Sequence, residues 1–427
     1  MDPKNILKKL YTVEQRNTEK WYWGYAIQGL VVLGFAPILI PLIVAQATGP
    51  GNMGLIIAAL YLGQLVSPTF GKLADKYNRY KTFYIAGYIM LGLGLVGFVS
   101  SQSIILWILF AFLQGAGAGT SNTISYSFVV EFHPKKEWDG RLGWLQTFYG
   151  TGQAMGLIMA SVLGKLPVTG MLICAGLMVP GIILGRLGLP DTSKTKNRAP
   201  DFSPQTHAVP VKGPARTPFS LIRHYEHLFS KKEKQDLSIL KSSFGHYIIT
   251  WFLVMFGTWL IYNFYPLLMR EVFNFDATIS SMYYAIAAVI GIFFYAPSGT
   301  WAAKFGSRKV VFIGLIMTLL ALSGVTALIY VSQSLQAILV PVFFIIMPVA
   351  WSPLIVAGTA LASELTPVSQ GTAMGVYNAT TALASVTAAV VGGFVAEKFT
   401  YTGLCLLGTL IVIISVVSFL PLLKKKK

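Results

Sequence analysis

Uncharged polar and aromatic side chains recur inside long apolar segments of this 427-residue chain, where they could bind a small organic molecule. Amides donate and accept hydrogen bonds, and aromatic rings offer flat apolar contact, so the combination suits a binding pocket. Trp259 and Asn263 stand four residues apart, which places both on one face of a helix. The candidates for a substrate cavity are Gln28, Gln114, Asn122, Tyr126, Gln146, Gln153, Trp259, Asn263, Tyr283, Trp351 and Asn378. The alternative is that amides link neighbouring helices and aromatics fill the core; Tyr22, Trp23 and Tyr25 are expected to be interfacial anchors.

Charged residues avoid the middle of these apolar segments, although the chain has 16 Asp and Glu and 33 Lys and Arg. A charge at mid-membrane costs about 2.5–3.5 kcal/mol and usually marks an ion or proton path. We therefore expect a neutral or amphipathic substrate, with any proton coupling confined to edge groups such as Asp75, Glu131 or His246. The apolar segments carry no nucleophile–base pair, phosphate-binding loop or metal cluster, so neither an enzyme, a cofactor nor a metal site is expected.

A second set of residues clusters in short loops that occur twice. The stretch 71–81, GKLADKYNRYK, returns in the second half of the chain as GTWAAKFGSRK at 299–309. Glu131-Phe-His-Pro likewise returns there as Glu364-Leu-Thr-Pro, at nearly the same offset. Ion pairs in these loops could hold two halves together in one state and break in the other; alternatively they are solvated charges, each pair contributing about 0–1 kcal/mol. The gate candidates are Gly71, Asp75, Lys76, Arg79, Glu131, Arg141, Gly299, Arg308 and Glu364.

The elements that carry both sets are predicted to be transmembrane helices. The chain is 54% hydrophobic and 11% charged, with a mean hydropathy of +0.63, whereas soluble proteins have about 25% charged residues. A membrane span needs about 20 apolar residues, and in lipid a helix satisfies its own backbone hydrogen bonds. Twelve such runs are present, at 21–46, 53–70, 82–100, 104–130, 142–166, 168–187, 247–269, 279–302, 310–330, 335–361, 373–395 and 401–423.

The basic residues predict how these helices are oriented. With both termini in the cytoplasm, all Lys and Arg except Lys165, Arg270 and Lys398 lie on the cytoplasmic side. The formal net charge of +17 then indicates topology and affinity for anionic lipid in the cell (inner) membrane, with no nucleic-acid partner. Three regions are predicted: an N-terminal six-helix bundle at 1–188, a connector at 189–243, and a C-terminal six-helix bundle at 244–427. The connector is expected to hold an amphipathic helix that lies either on the membrane or against the loops.

The twelve spans, the two repeated loops and the central connector together resemble the major facilitator superfamily (MFS) of transporters, over nearly the whole chain. The resemblance implies two six-helix bundles around a central cavity, which alternately open to either side of the membrane. Asn78 stands where the family usually has Gly, and Ala303 stands in the second loop at the position of the Asp in the first. A monomeric secondary transporter is therefore expected, exporting a small organic molecule. The alternatives are uptake or facilitated diffusion of a neutral solute such as a sugar, and a sensor or assembly factor that transports nothing.

Overall fold

The computed structural model describes residues 19–133, 138–189, 242–367 and 370–424, and every regular element among them is helical. We number twelve helices by span. The first six are α1 (Trp21–Gly29, a π-helical turn at Leu30–Phe35, then Ala36–Thr48), α2 (Pro50–Leu65 and Ser67–Tyr77), α3 (Tyr80–Val99), α4 (Ile104–Phe132), α5 (Trp138–Leu163) and α6 (Pro167–Gly188). The last six are α7 (Ser243–Tyr262 and Tyr265–Glu271), α8 (Ala277–Phe305), α9 (Ser307–Leu328), α10 (Gln333–Leu365) and α11 with α12, which share the continuous helical stretch Gln370–Lys424.

The stretch that contains α11 and α12 divides at Thr400, whose φ of 59° is not helical. Within the described residues, ten stretches are long and apolar enough to span a membrane, and the last of them, Val376–Leu423, contains this division. If the two halves of this stretch are counted separately as α11 and α12, and α5 (Trp138–Leu163), which is not among the ten, is added, the total is twelve helices. The predicted fold class, an all-α membrane protein built of helical bundles, is confirmed, and the helices of the described residues agree with the predicted twelve in two bundles of six. The connector prediction falls on residues 190–241, outside the described part of the chain.

The helix ends define two faces of the molecule. We call the side where α1 and α7 begin and where α2 and α8 end the terminal face, and the other side the opposite face. The repeated loops both lie on the terminal face, and their turns match: Asn78 has a φ of 49°, and Gly306, at the equivalent position of the second loop, has a φ of 89°. Left-handed φ values suit Gly, and Asn tolerates them better than most other residues. Both loops therefore place a residue of positive φ at the same position of the repeat.

The bundles meet along two pairs of helices, α2 against α11 and α5 against α8. At the first contact, a Cβ added to Gly54 would lie 2.3 Å from the carbonyl oxygen of Ala389, so the two backbones touch. Near the opposite face, Gly164, which directly follows α5, approaches Ala277 of α8. The end of α1 also contacts the last turns of α7 there. These contacts between the bundles extend from the opposite face to the middle of the molecule.

Helix α7 is broken where the sequence predicted one continuous run from 247 to 269. The first segment ends at Tyr262, and the second begins at Tyr265 with Pro266 in its first turn. Proline has no N–H to bond the carbonyl four residues earlier, here that of Tyr262, and its ring clashes with that carbonyl. The break leaves Asn263 at the end of the first segment, facing the other bundle.

Candidate functional site

In the N-terminal bundle, four side chains from three helices form a hydrogen-bonded network. Tyr25 on α1 donates to Oδ1 of Asn122 on α4, and the Gln146 amide on α5 donates to the Tyr126 hydroxyl on α4. The Tyr25 and Tyr126 hydroxyls also lie close to each other, so the two pairs are neighbours. The Tyr25 ring lies 4.7 Å from that of Tyr149 on α5. The sequence prediction that Tyr25 and Tyr22 anchor the protein at the interface is wrong, because both are fully buried in this packing; Trp23 is exposed.

In the C-terminal bundle, aromatic rings surround Trp259 of α7. Its ring centroid lies 5.9 Å from that of Trp351 on α10 and 5.5 Å from that of Tyr61 on α2. The Tyr61 hydroxyl donates a 2.9 Å hydrogen bond to Oδ1 of Asn263. Because Tyr61 belongs to the N-terminal bundle, this bond and ring contact connect the two halves of the protein.

Tyr295 of α8 lies between the N-terminal hydrogen-bonded network and the rings around Trp259. Its hydroxyl lies beside the indole nitrogen of Trp351, and it is near enough to Tyr126 to interact electrostatically. We call the resulting set the polar–aromatic belt; its members are Tyr25, Tyr61, Asn122, Tyr126, Gln146, Tyr149, Trp259, Asn263, Tyr295 and Trp351. Every member is uncharged, and the members come from both bundles.

Two hydrogen-bond donors in the belt are unused. Within the described part of the chain, Nε1 of Trp259 and Nδ2 of Asn263 are buried and have no hydrogen-bond partner. A buried donor left unsatisfied costs about 1–3 kcal/mol. Both groups are therefore candidates to bind a ligand.

Two other predicted cavity residues link helices instead. The Gln28 amide donates to the Ala118 carbonyl across α1 and α4, at 2.8 Å. The Gln114 amide donates to the Gly94 carbonyl across α4 and α3, at 3.2 Å. These bonds follow the alternative reading, in which amides hold helices together.

The three remaining predicted cavity residues lie away from the contacts of the belt. Tyr283 packs edge-on against Phe275 near the opposite face. Gln153 is half-buried on α5, two turns beyond Gln146, and Asn378 is exposed on α11. Their role in a cavity stays a prediction.

On the terminal face, Arg141 bonds a residue that the sequence did not single out. Glu19, just before α1, accepts hydrogen bonds from Arg141 at 2.9 Å and from the Trp21 indole at 2.7 Å, and it pairs with His133 at 2.9 Å. Burial raises the pKa of the Glu19 carboxyl, but the hydrogen bonds from His133 and Trp21 and the charges of His133 and Arg141 lower it below its ordinary value overall. The cluster ties α1, α4 and α5 together within one bundle.

The other gate candidates lie on the terminal face. Lys76 and Arg79 are exposed, Arg308 is half-buried, and Glu364 accepts a 2.6 Å bond from Ser307. Gly71 lies against Thr123 of α4 and Gly299 faces Val356 of α10. The side chains of Asp75 and Glu131 fall outside the described part of the structure, so their gating role stays a prediction.

His246, proposed from the sequence as an edge group for proton coupling, faces away from the belt. Its Nε2 lies 2.5 Å from the Ser418 carbonyl on α12, and Thr250 bonds the Ser418 hydroxyl at 2.9 Å. This contact holds α7 against α12 within the C-terminal bundle.

Sequence reasoning missed Tyr61, Tyr149, Tyr295 and Glu19. The three tyrosines carried the same signal as the chosen residues, a hydroxyl-bearing ring inside an apolar run. Glu19 was grouped with the polar residues that precede the first span. Its partner Arg141 is 122 positions away, so no local pattern indicated the pair.

Comparison with known proteins agrees with this architecture. A family model described as Major Facilitator Superfamily matches residues 21–352 and 248–427. The tetracycline resistance protein, class H, of Pasteurella multocida is 22% identical over 293 residues, which cover 67% of this chain and 66% of that protein. The match thus spans just under two thirds of that relative's length.

Solved transporter structures share the fold. A mutant form of the nucleoside transporter NupG superposes with a TM-score of 0.75 at 12% identity, covering 95% of this chain and 99% of that chain. A D-xylose-proton symporter superposes with a TM-score of 0.68 at 12% identity, covering 93% and 95%. At such identities the likeness concerns the fold alone.

Proposed function

Because the chain belongs to the Major Facilitator Superfamily, we propose that it is a secondary transporter that moves a small neutral or amphipathic organic molecule across the cell membrane by alternating access. The observation that carries this proposal is the polar–aromatic belt, in which uncharged donors, acceptors and rings from both bundles converge. A charged substrate would lose its hydration without meeting an opposite charge in the belt, at a cost of several kcal/mol. A neutral solute can exchange water for the belt's hydrogen bonds.

The contacts between the bundles correspond to one of the two conformations that alternating access requires. They join the bundles from the opposite face to mid-depth, at Gly54 of α2, at Gly164 just after α5 and at the Tyr61–Asn263 bond. We take the terminal face, where the basic loops lie, to be cytoplasmic. This conformation is then closed toward the outside, and rocking the bundles about the belt would open it there.

Export of an amphipathic compound is our first choice for the direction. The tetracycline resistance protein, to which this chain is similar, bears a name that fits removal of such a compound from the cell. Uptake or facilitated diffusion of a neutral solute is the second choice, because the nucleoside transporter and the D-xylose-proton symporter share the fold. We propose that the protein acts as a monomer in the lipid bilayer, binds no nucleic acid and catalyses no chemical reaction.

The test begins with thermal-shift screening of purified protein against a solute library, since a ligand of the native state raises the melting temperature. Compounds that bind are then assayed for flux in proteoliposomes, in both directions and with or without a pH gradient. We expect saturable flux of at least one neutral compound. Binding without flux in either direction would contradict transport and favour a sensor.

A further inference from the structure

The two unused donors of the belt lie on one face of α7. Trp259 and Asn263 are four residues apart, and side chains at that spacing on a helix have Cβ atoms about 5–6 Å apart. Asn263 is 6% exposed, so water has little access to its amide. The indole N–H of Trp259 is also buried without a partner in the described part of the chain. Indole nitrogen and amide nitrogen only donate hydrogen bonds, so the pair can be satisfied only by acceptors.

The bond from Tyr61 fixes which way the Asn263 amide points. Because Tyr61 donates to Oδ1, the Nδ2 group is directed away from Tyr61. The break in α7 just after Asn263 keeps the residue at the end of a helical segment rather than in a continuous helix. The donor is therefore held in place before any ligand arrives, which reduces the entropy lost on binding.

The surroundings of the two donors are aromatic. Trp351 lies nearly perpendicular to the Trp259 ring, at 80°, and the Tyr61 ring meets Trp259 at 63°. Tyr262 adds a further ring 6.0 Å from Trp259. These rings suit the apolar faces of a ring compound, and the two N–H groups present the positive ends of their dipoles, which call for acceptor atoms.

We propose that Trp259 and Asn263 form an acceptor-recognition site for a neutral ring compound that carries two hydrogen-bond acceptor atoms, one for each donor. The ring packs among Trp351, Tyr61 and Tyr262. This inference rests on the proposed function and specifies the class of substrate that the belt selects. Compounds whose polar groups only donate hydrogen bonds are rejected, because they leave both donors of the site unpaired.

The test uses 1,4-cyclohexanedione, a neutral ring with two acceptor carbonyls, and cyclohexanone, which has one. The protein is labelled with ¹⁵N at its nine tryptophan indoles, and Trp259→Phe identifies the Trp259 signal. We expect the dione to move the Trp259 indole proton downfield in a saturable manner. It should bind about tenfold more tightly than cyclohexanone, since one added hydrogen bond is worth roughly that factor.

Two variants that each lack one donor are compared with a control variant that keeps both. Trp259→Phe removes the indole donor together with part of the ring, and Asn263→Asp replaces the amide with a carboxyl group of the same shape that has no N–H. Each should raise the dione Kd about tenfold. Trp301→Phe is the matched control, because it makes the same indole-to-phenyl change on an exposed residue of α8, and its Kd should equal that of the parent. Melting temperatures show whether each variant is folded, and either donor variant alone suffices for the comparison.

Two results would overturn the inference: a Trp259 signal that does not respond to the dione, or donor variants that bind the dione as the control does. Failure of the proposed function gives a different pattern, in which the dione binds and both donor variants weaken it, yet no solute crosses proteoliposomes. Flux of a neutral solute that is insensitive to both donor variants would leave transport standing and remove this site.

Discussion

The hydrogen bond from Tyr61 to Asn263 joins the two bundles at the level of the belt. Tyr61→Phe removes the hydroxyl but keeps the ring contact with Trp259, so it should weaken this conformation by about 1 kcal/mol without unfolding either bundle. That corresponds to roughly a fivefold change in the ratio of the two states. Spin labels at Lys76 and Lys304, both exposed on the terminal face, should then report a larger fraction of short distances.

Tyr262→Phe is the control for this change, because Tyr262 lies beside Trp259 but its described ring contacts are to residues of its own bundle. It should leave the distance distribution near that of the parent. A Tyr61→Phe distribution identical to the parent's would show that the bond does not favour this state.

Glu19 gives a prediction about pH. Its folded-state pKa is below the ordinary value, so the Glu19 cluster stabilises the protein above that ordinary value and loses this contribution as the pH falls through the folded pKa. Glu19→Gln should lower the melting temperature at pH 7 by the equivalent of about 1–2 kcal/mol, because Arg141 is buried and keeps its charge. The difference from the parent should shrink as the pH falls below about 4.5.

Glu271→Gln is the matched control at the opposite face. Its pair with Arg270 is exposed, and such pairs contribute about 0–1 kcal/mol. Equal melting temperatures for Glu19→Gln and the parent at neutral pH would mean that the cluster does not stabilise the N-terminal bundle.

Among the elements, the repeated terminal-face loops were the most predictable from sequence. Asn78 and Gly306 occupy equivalent positions in the two matching stretches, and both adopt positive φ, as residue type alone suggests. Helix spans were also predictable, because the hydropathy and the length of a segment are local properties of the sequence. The break in α7 was not predicted, although Pro266 carries the signal for it, because proline is tolerated in many membrane helices.

Gly306 provides a test of this conformational repeat. Gly306 has a φ of 89° and a ψ of 140°, a conformation that Ala adopts only at a cost of about 1–3 kcal/mol, so Gly306→Ala should lower the melting temperature. Gly176→Ala, in α6, makes the same change at a helical position where an added Cβ meets nothing within 4 Å, and should be neutral or slightly stabilising. A Gly306→Ala protein as stable as the Gly176→Ala protein would contradict the need for a residue that tolerates positive φ at position 306.

The belt itself could be predicted only in part. Trp259, Asn263, Trp351, Asn122, Tyr126 and Gln146 follow from their residue type inside apolar runs. Residue type does not show which amides join the belt and which link helices, because the partner of each amide lies on another helix. Gln114 illustrates this: like Asn122 it is an amide inside the apolar run of α4, yet it bonds the Gly94 carbonyl of α3.

At the scale of the whole molecule, the close approach of α2 and α11 makes the closed opposite face possible. Gly54→Val would place side-chain atoms against the Ala389 carbonyl, where even a Cβ would stand at 2.3 Å. We expect the variant to keep the opposite face apart and to lose most flux in proteoliposomes, while thermal unfolding shows folded bundles. Gly176→Val, on an open surface, is the control and should retain flux.

The most direct test of alternating access measures both faces in one protein. Spin-label pairs at Lys76 with Lys304 on the terminal face, and at Ser103 with Ser334 on the opposite face, link exposed sites on the two bundles. Distances are recorded by double electron–electron resonance in lipid, with and without a solute that binds. The account predicts that one distance shortens as the other lengthens; two distances that stay fixed, or that change in the same direction, while the solute crosses the membrane would contradict it.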